Sequence, residues 1–288
     1  MFNFSNASKK PYYCVVGKPI NHSLSPVIHH QFADSLGITL CYERVEVAPK
    51  TLSQAISEFA RLGGLGMNIT VPLKQEALEV ATEVTERAAL AGAANTIVVR
   101  EPGSYLADNT DGCGLVTDLL SNLEVVLRNQ RILIIGAGGA VRGVMQPLIE
   151  CSPQTISIAN RTLSKADNLV NRFANSAKQY AVSLSACGLG DALAESHFDV
   201  IINATSLGLE GKTPPIPKEI FARSSFCYDM MYDKCGSTAF TKHSLESGAE
   251  HVADGLGMLV EQAAEAFRIW HGVSPDTKAV LRSLRANN

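Results

Sequence analysis

The stretch Arg131-Ile132-Leu133-Ile134-Ile135-Gly136-Ala137-Gly138-Gly139-Ala140-Val141-Arg142 is an apolar run that breaks into glycines and then turns helical. A strand that delivers a dinucleotide phosphate to a helix N-terminus has this pattern: the glycines let the backbone approach the pyrophosphate, and the first helical N–H groups face it. About twenty residues on, a second apolar run, Thr155-Ile156-Ser157-Ile158-Ala159, ends in Asn160-Arg161-Thr162, and no Asp or Glu lies between Glu150 and Asp167. An acidic residue there would accept from the ribose 2′-hydroxyl of NAD, whereas a guanidinium suits the 2′-phosphate of NADP. The chain reads as NADP-preferring. Val141 stands where the third glycine of the fingerprint would be. The turn therefore draws its weight from the strand before it, the helix after it and Arg161 at the proper spacing.

Composition narrows the class. The 288 residues suffice for two domains, and 46% hydrophobic with 18% charged residues is ordinary for a globular chain. A formal charge of -3 and no Lys/Arg cluster argue against nucleic-acid binding. No apolar run approaches the length of a membrane span, and the polar start Met1 to Lys10 lacks a signal-peptide core, so a cytoplasmic protein without membrane attachment is expected. The seven cysteines, Cys14, Cys41, Cys113, Cys151, Cys187, Cys227 and Cys235, are scattered and read as reduced packing residues. His29-His30 is the one adjacent histidine pair, and neighbours on a helix point about 100° apart, which makes it a poor metal clip. No metal site is expected.

Upstream, short β-branched runs alternate with amphipathic segments. The pattern predicts strands at Tyr12–Gly17, Cys41–Val47, Gly66–Val71 and Thr96–Arg100, with helices near Pro26–Leu36, Leu52–Leu62 and Lys74–Ala81. This is an α/β unit with a largely parallel sheet. A helix after Asp111 leads to the glycine turn and a second alternating series: strands at Thr155–Ala159, Asp199–Asn203, Phe226–Asp229 and near His251, and a helix from Ser164 to Phe173. That series predicts a doubly wound, Rossmann-type nucleotide domain. Residues 257–270 have helical spacing, and their single Trp270 reads as core.

Three further segments are hard to explain as packing. They are Gly17-Lys18-Pro19-Ile20-Asn21-His22-Ser23-Leu24-Ser25-Pro26, then Asn68-Ile69-Thr70-Val71-Pro72-Leu73-Lys74, then Asn95-Thr96 followed by Asp108-Asn109-Thr110-Asp111-Gly112. Each is expected to place hydroxyls, amides or a charge just beyond a strand end, where open α/β sheets collect ligands. With these motifs, and with Gly136 to Ala140, Asn160-Arg161-Thr162, Asn203-Ala204-Thr205-Ser206 and Asp254-Gly255-Leu256-Gly257-Met258, the chain closely resembles the shikimate dehydrogenases from Tyr13 to about Pro275.

The resemblance implies a two-domain α/β protein, with a substrate domain over residues 1–110 completed by C-terminal helices in 256–288 and an NADP domain over 111–255. It implies reversible NADPH-dependent reduction of 3-dehydroshikimate to shikimate, on the route to chorismate and the aromatic amino acids. Ser23 and Ser25 would hold the substrate carboxylate, and Thr70, Lys74, Asn95, Asp111, Tyr232 and Gln262 would surround the ring hydroxyls. NADP would lie on Gly136, Ala137, Gly138, Gly139 and Ala140, with Asn160, Arg161, Thr162 and Lys165 about its 2′-phosphate. Glu86, Thr205, Met230 and Gly255 carry over as further cofactor contacts. Lys74 would exchange a proton with the reacting oxygen while Asp111 orients it.

Departures from the family pattern are Leu24 between the serines, Ala94 before Asn95, Val141 and Met231. None removes a polar group named above. Two alternatives remain: a quinate/shikimate dehydrogenase with broader substrate or cofactor use, and a noncatalytic NADP-binding module. Asn160-Arg161-Thr162 and Ser25 oppose the first, and the presence of both Lys74 and Asp111 opposes the second. A monomer or a homodimer is expected.

Overall fold

The computed structural model describes residues 10–191, 197–222, 224–233 and 235–286. The polar start, apart from Lys10, lies outside the described residues. The chain forms two compact units, Met1–Gly114 with Leu259–Ser283, and Leu115–Met258 with Leu284–Asn288.

The first unit runs β1 (Tyr12–Gly17), α1 (Ser25–Leu36), β2 (Cys41–Glu46), α2 (Leu52–Arg61), β3 (Gly64–Ile69), α3 (Glu76–Val80), β4 (Glu83–Val84), α4 (Glu86–Ala91), β5 (Thr96–Glu101), β6 (Ser104–Asp108) and α5 (Asp111–Thr117). Its sheet has the order β2-β1-β3-β5-β6-β4. β1 is buried along its whole length and pairs in parallel with both neighbours, as an apolar central strand should. Proline in the first turn of α1 costs no hydrogen bond, and Gly37 ends the helix in the left-handed region at φ 66°, its N–H reaching the carbonyls of Ala33 and Asp34. α2 buries Leu52, Ala55, Ile56, Phe59 and Ala60, an i, i+3, i+4 stripe, against Tyr12, Val16, Met67 and Ile69. Truncating Ile56 to alanine there would cost about 2–5 kcal/mol.

One strand departs from the parallel expectation. β5 pairs antiparallel with both β3 and β6. The cause is local: Glu101 faces Ser104 across Pro102-Gly103, and Gly103 takes φ 90°, so β5 turns back in a tight hairpin onto β6, a strand the sequence pattern did not predict. α3 is also shorter than the spacing suggests. Residues 71–75 form turns, and the helix begins only at Glu76.

The second unit runs β7 (Arg131–Ile135), α6 (Gly139–Glu150), β8 (Thr155–Ala159), α7 (Leu163–Gln179), β9 (Ser183–Cys187), β10 (Val200–Asn203), β11 (Phe226–Asp229), α8 (Ala239–Glu246) and β12 (His251–Asp254), after which come α9 (Leu256–His271) and α10 (Thr277–Ala286). All its strands are parallel, in the order β12-β11-β10-β7-β8-β9. The chain builds outward from β7 through β9, then returns to β7 and builds the other way, which is the doubly wound arrangement with its switch point between β7 and β10. Most of α9 belongs to the first unit. Its Trp270 lies tilted against Tyr13 with centroids 4.9 Å apart and donates to the Ile97 carbonyl at 3.1 Å, half-buried and not the fully buried core residue expected. The end of α10 belongs to the second unit, where Arg285 pairs with Asp254.

Candidate active site

In the first unit, reversal of β5 is what gathers the polar groups. Asn95 precedes its strand, contrary to the expectation that each polar segment follows one. Because β5 runs backward, its start lies beside the carboxyl ends of β3 and β6, with Thr96 opposite Asn68 on one side and Asp108 on the other. Lys74 sits in the turn after β3, its carbonyl fixed by the Ala94 N–H at 2.8 Å. Asp111 opens α5, its own N–H held by the Asn109 side chain at 3.1 Å.

Lys74 Nζ meets Asp111 Oδ2 at 2.5 Å, with the two side chains only 14% and 5% exposed. Asn95 Nδ2 donates to the other oxygen, Asp111 Oδ1, at 2.9 Å, and lies 3.1 Å from Gln262 Oε1 on α9. The Asn95 carbonyl oxygen of the side chain accepts from the Thr110 N–H at 2.8 Å and the Thr96 hydroxyl at 3.0 Å. A buried ion pair is tolerated only when its remaining lone pairs are satisfied, and here amides and hydroxyls do that. Lys74, Asn95, Asp111 and Gln262 thus share one network.

Ser23 and Ser25 form a second, adjoining pair. Their hydroxyls are 3.2 Å apart, the Ser25 N–H points at Ser23 Oγ, and Arg44 fixes the Ser23 carbonyl at 2.6 Å. Both are nearly buried. Tyr42 donates to Asn68 Oδ1 at 2.6 Å, and burial pushes its hydroxyl well above the ordinary range, so it stays a neutral donor. Thr70 lies in the turn after β3, its N–H on the Val16 carbonyl.

The His29-His30 doublet splits apart. His30 Nδ1 lies 2.6 Å from the Pro26 carbonyl, whereas His29 is fully buried and stacked on Tyr42 at 4.3 Å. Burial drives the His29 pKa down to about 3, which keeps the ring neutral. Among the described residues, no three His, Cys, Asp or Glu side chains are placed to hold a metal ion. No described helix is long and apolar enough to cross a membrane.

In the second unit, Gly136 takes φ 115°, closed to ordinary L side chains, and a Cβ there would also press on the Ala204 carbonyl at 3.2 Å. Gly138 is the N-cap of α6, and side chains added at Gly138 or Gly139 would meet nothing within 4 Å. The turn therefore leaves open space at the N-terminus of a twelve-residue helix, with Ala137 and Ala140 flanking it. This fits a pyrophosphate. After β8, Asn160 Nδ2 bonds the Thr162 carbonyl at 2.8 Å and shapes the entry to α7, and Arg161, Thr162 and Lys165 project into solvent. No carboxylate among the described residues pairs with Arg161 or Lys165, which fits a dianionic phosphate.

Asn203 and Asp229 tie the strand ends of this unit together. Asn203 Oδ1 accepts from both the N–H and the hydroxyl of Thr205, at 3.1 and 2.8 Å, while its amide donates to Asp229 Oδ1 at 2.9 Å. Asp229 also accepts from the Met231 N–H and the Thr238 hydroxyl. Burial raises its carboxyl to about 6 despite those donors. Gly255 donates to the Met231 carbonyl at 2.9 Å, and any side chain on it would collide with the Met230 carbonyl. Thr205, Met230 and Gly255 are thereby brought to one edge. Tyr232 belongs to this unit, and the exposed Glu86, at the start of α4, belongs to the first. Each lies outside the unit that holds the rest of its set.

Sequence reasoning missed Thr85, Arg87 and Glu265. Asp108, buried at 4%, receives the Arg87 guanidinium as a fork, Nε on Oδ1 at 2.6 Å and a terminal nitrogen on Oδ2 at 2.7 Å, and the same nitrogen reaches Glu265 Oε1 at 3.0 Å. Burial opposes the Asp108 charge, but hydrogen bonds from Arg87 and Thr85 outweigh it and hold the carboxyl below its ordinary range.

Comparison with known proteins agrees with this geometry. Family models match the chain in three successive stretches: the shikimate dehydrogenase substrate binding domain over residues 15–97, shikimate/quinate 5-dehydrogenase over 118–223, and the shikimate 5′-dehydrogenase C-terminal domain over 255–285. A shikimate dehydrogenase (NADP(+)) of Colwellia psychrerythraea is 49% identical over 275 residues, covering 96% of each chain. That of Cupriavidus necator is 46% identical over 285 residues, covering 98% of this chain and 96% of that one. Among solved structures, a shikimate 5-dehydrogenase from Thermus thermophilus in complex with NADP(H) and shikimate superposes with a TM-score of 0.82 at 31% identity, over 96% of this chain and 100% of that one.

Proposed function

The chain belongs to the shikimate dehydrogenase family, and from that premise we propose that it interconverts 3-dehydroshikimate and shikimate with NADPH and NADP. The buried Lys74–Asp111 pair, bonded to Asn95 and set beside Gln262, carries the reading. The first unit, which takes in Asp111 to Gly114, is the substrate domain in this account, and the second unit is the cofactor domain.

A carbonyl that gains hydride at carbon must gain a proton at oxygen, because negative charge develops there. NADPH supplies the hydride when bound. Lys74 Nζ donates the proton in reduction and recovers it in the reverse direction, and Asp111 holds the ammonium in place and compensates its charge. Asn95 and Gln262 orient the ring hydroxyls. Ser23 and Ser25 hold the carboxylate away from the reacting carbon, and Thr70 and Tyr232 complete the set. Arg161, with Asn160, Thr162 and Lys165, meets the 2′-phosphate, and the backbone from Gly136 to Ala140 meets the pyrophosphate. Glu86, Thr205, Met230 and Gly255 complete the cofactor contacts.

The test is NADPH absorbance on addition of 3-dehydroshikimate, then the reverse reaction with shikimate or quinate and with NADP or NAD. Consumption that depends on 3-dehydroshikimate, with shikimate and NADP as the best reverse pair, is expected. Absence of turnover would overturn the activity, and equal rates with quinate or NAD would overturn the specificity.

A further inference from the structure

We propose that Arg87 is a positioning residue that sets the Lys74–Asp111 pair through Asp108 and sets Gln262 through Glu265, an inference that rests on the catalytic reading of that pair. Asp108 Oδ1 accepts from three donors at once: Arg87 Nε at 2.6 Å, the Thr85 hydroxyl at 2.7 Å and the Asn109 N–H at 2.7 Å. Asn109 is clamped on its other side, its amide nitrogen on the Ala93 carbonyl at 2.8 Å and its amide oxygen on the Asp111 N–H at 3.1 Å. Arg87 therefore reaches the Asp111 N–H in three steps, through Asp108 and Asn109, without touching the catalytic carboxylate.

The second thread runs through α9. Glu265 stands three residues after Gln262, on the same face of the helix, and receives the Arg87 guanidinium at 3.0 Å while Gln262 lies 3.1 Å from Asn95 Nδ2. Both threads end on the groups around Asp111. Asp108 is buried and ionised because of the fork, so removing the guanidinium forces it either to take a proton or to turn toward solvent. Turning away releases the Asn109 N–H, and a proton weakens its acceptor, so either change loosens the backbone that presents Asp111. A lysine cannot reproduce the two-point contact.

Displacements well below a side chain's length cost reacting groups on the order of 10²-fold in rate. Arg87→Ala and Asp108→Asn are expected to lower kcat by roughly 10- to 100-fold with the Kd for NADP unchanged, and Arg87→Lys to fall between them and wild type. Glu265→Gln, which loosens only the α9 thread, is expected to raise the KM for shikimate several-fold while kcat stays within about twofold. Millimolar guanidinium added to Arg87→Ala is expected to restore part of kcat, a rescue that a merely destabilised protein would not show. Should Arg87→Ala fail to fold, Arg87→Lys serves in its place. Reductive methylation of Lys74, followed by mass spectrometry on the chain without substrate, reads the same geometry independently of turnover. The rate at Lys74 is expected to rise several-fold in Arg87→Ala or Arg87→Lys. A folded variant with wild-type kcat, or with unchanged methylation of Lys74, overturns the proposal. A wild-type chain inert toward shikimate overturns the activity reading instead and leaves the methylation result to decide the role of Arg87.

Discussion

The candidate catalytic residues of the first unit are spent on one another, whereas the phosphate-facing residues of the second are left open. Lys74 meets Asp111, which accepts from Asn95, which reaches Gln262, and all four are largely buried. Around the glycine turn, by contrast, Gly138 and Gly139 face empty space, and Arg161, Thr162 and Lys165 stand in solvent. The difference follows from what each side must do. A proton donor has to be aimed before the substrate arrives, which requires protein partners. A phosphate can be met by solvated cations and free N–H groups that gain their partner on binding. Substitutions at the Lys74–Asp111 pair should therefore damage rate, and those at the glycine turn and Arg161 should damage cofactor affinity.

The largest break comes at Lys74. Lys74→Ala should lower kcat by roughly 10²- to 10⁴-fold, the range for a positioned acid or base, with a smaller change in the KM for shikimate. Steady-state kinetics in both directions check it, and near-normal turnover would take the lysine out of the chemistry. Next in size is the cofactor preference. Arg161→Ala removes a charge-assisted contact of about 1.5–3 kcal/mol, so the kcat/KM ratio of NADP to NAD should fall by roughly 10- to 150-fold. Lys165 and Thr162 share the phosphate in this account, which puts the single variant at the low end of that range. A wild-type enzyme indifferent to the two cofactors would contradict it.

The smallest effect is a pH dependence of opposite sign in the two units. His29 has its folded pKa lowered from 6.5 to about 3, so the unfolded chain binds the extra proton between those values, and the first unit loses about 1.4 kcal/mol per pH unit as pH falls below 6.5. Asp229 is raised from 3.8 to about 6, so the folded chain holds the extra proton, and the second unit loses a similar amount as pH rises through that window. Trp270, the sole tryptophan, lies 5.3 Å from His29, so its fluorescence follows the first unit. Urea midpoints by tryptophan emission should drop between pH 7 and pH 5 in wild type and drop less in His29→Phe. An equal drop in both proteins would remove His29 from the account.

Local signals carried the nucleotide unit into view. The run into Gly136 to Ala140, the Asn160-Arg161-Thr162 turn and the apolar strands β7, β8, β10 and β11 each announce themselves within a few residues. β9 did not, because Ser183–Cys187 is a half-exposed edge strand whose core-facing side offers only Leu184 and Ala186 between two serines. The β5–β6 hairpin carried a signal in Pro102-Gly103, but Ser104–Asp108 was not read as a strand, and with it went the reason Asn95 reaches the site. The polar motifs named Lys74, Asn95 and Asp111 but not what holds them. Arg87 lies 21 residues from Asp108 and 178 from Glu265, and pairing at such separations leaves no periodic trace in a sequence. Tyr232 and Glu86 carry no short-range pattern either.

Separation of the carboxylate-holding serines from the 2′-phosphate contacts is the central claim, and parallel kinetics on Ser25→Ala and Arg161→Ala test it most directly. Ser25 stands with Ser23 in the first unit and Arg161 stands on the second. Loss of one hydrogen bond to a charged carboxylate costs about 1.5–3 kcal/mol, so Ser25→Ala should raise the KM for shikimate by roughly 10- to 150-fold and leave the KM for NADP within about twofold. Arg161→Ala should do the reverse. If either variant weakens both ligands equally, the serines and the phosphate contacts do not act on separate ligands and the account is wrong.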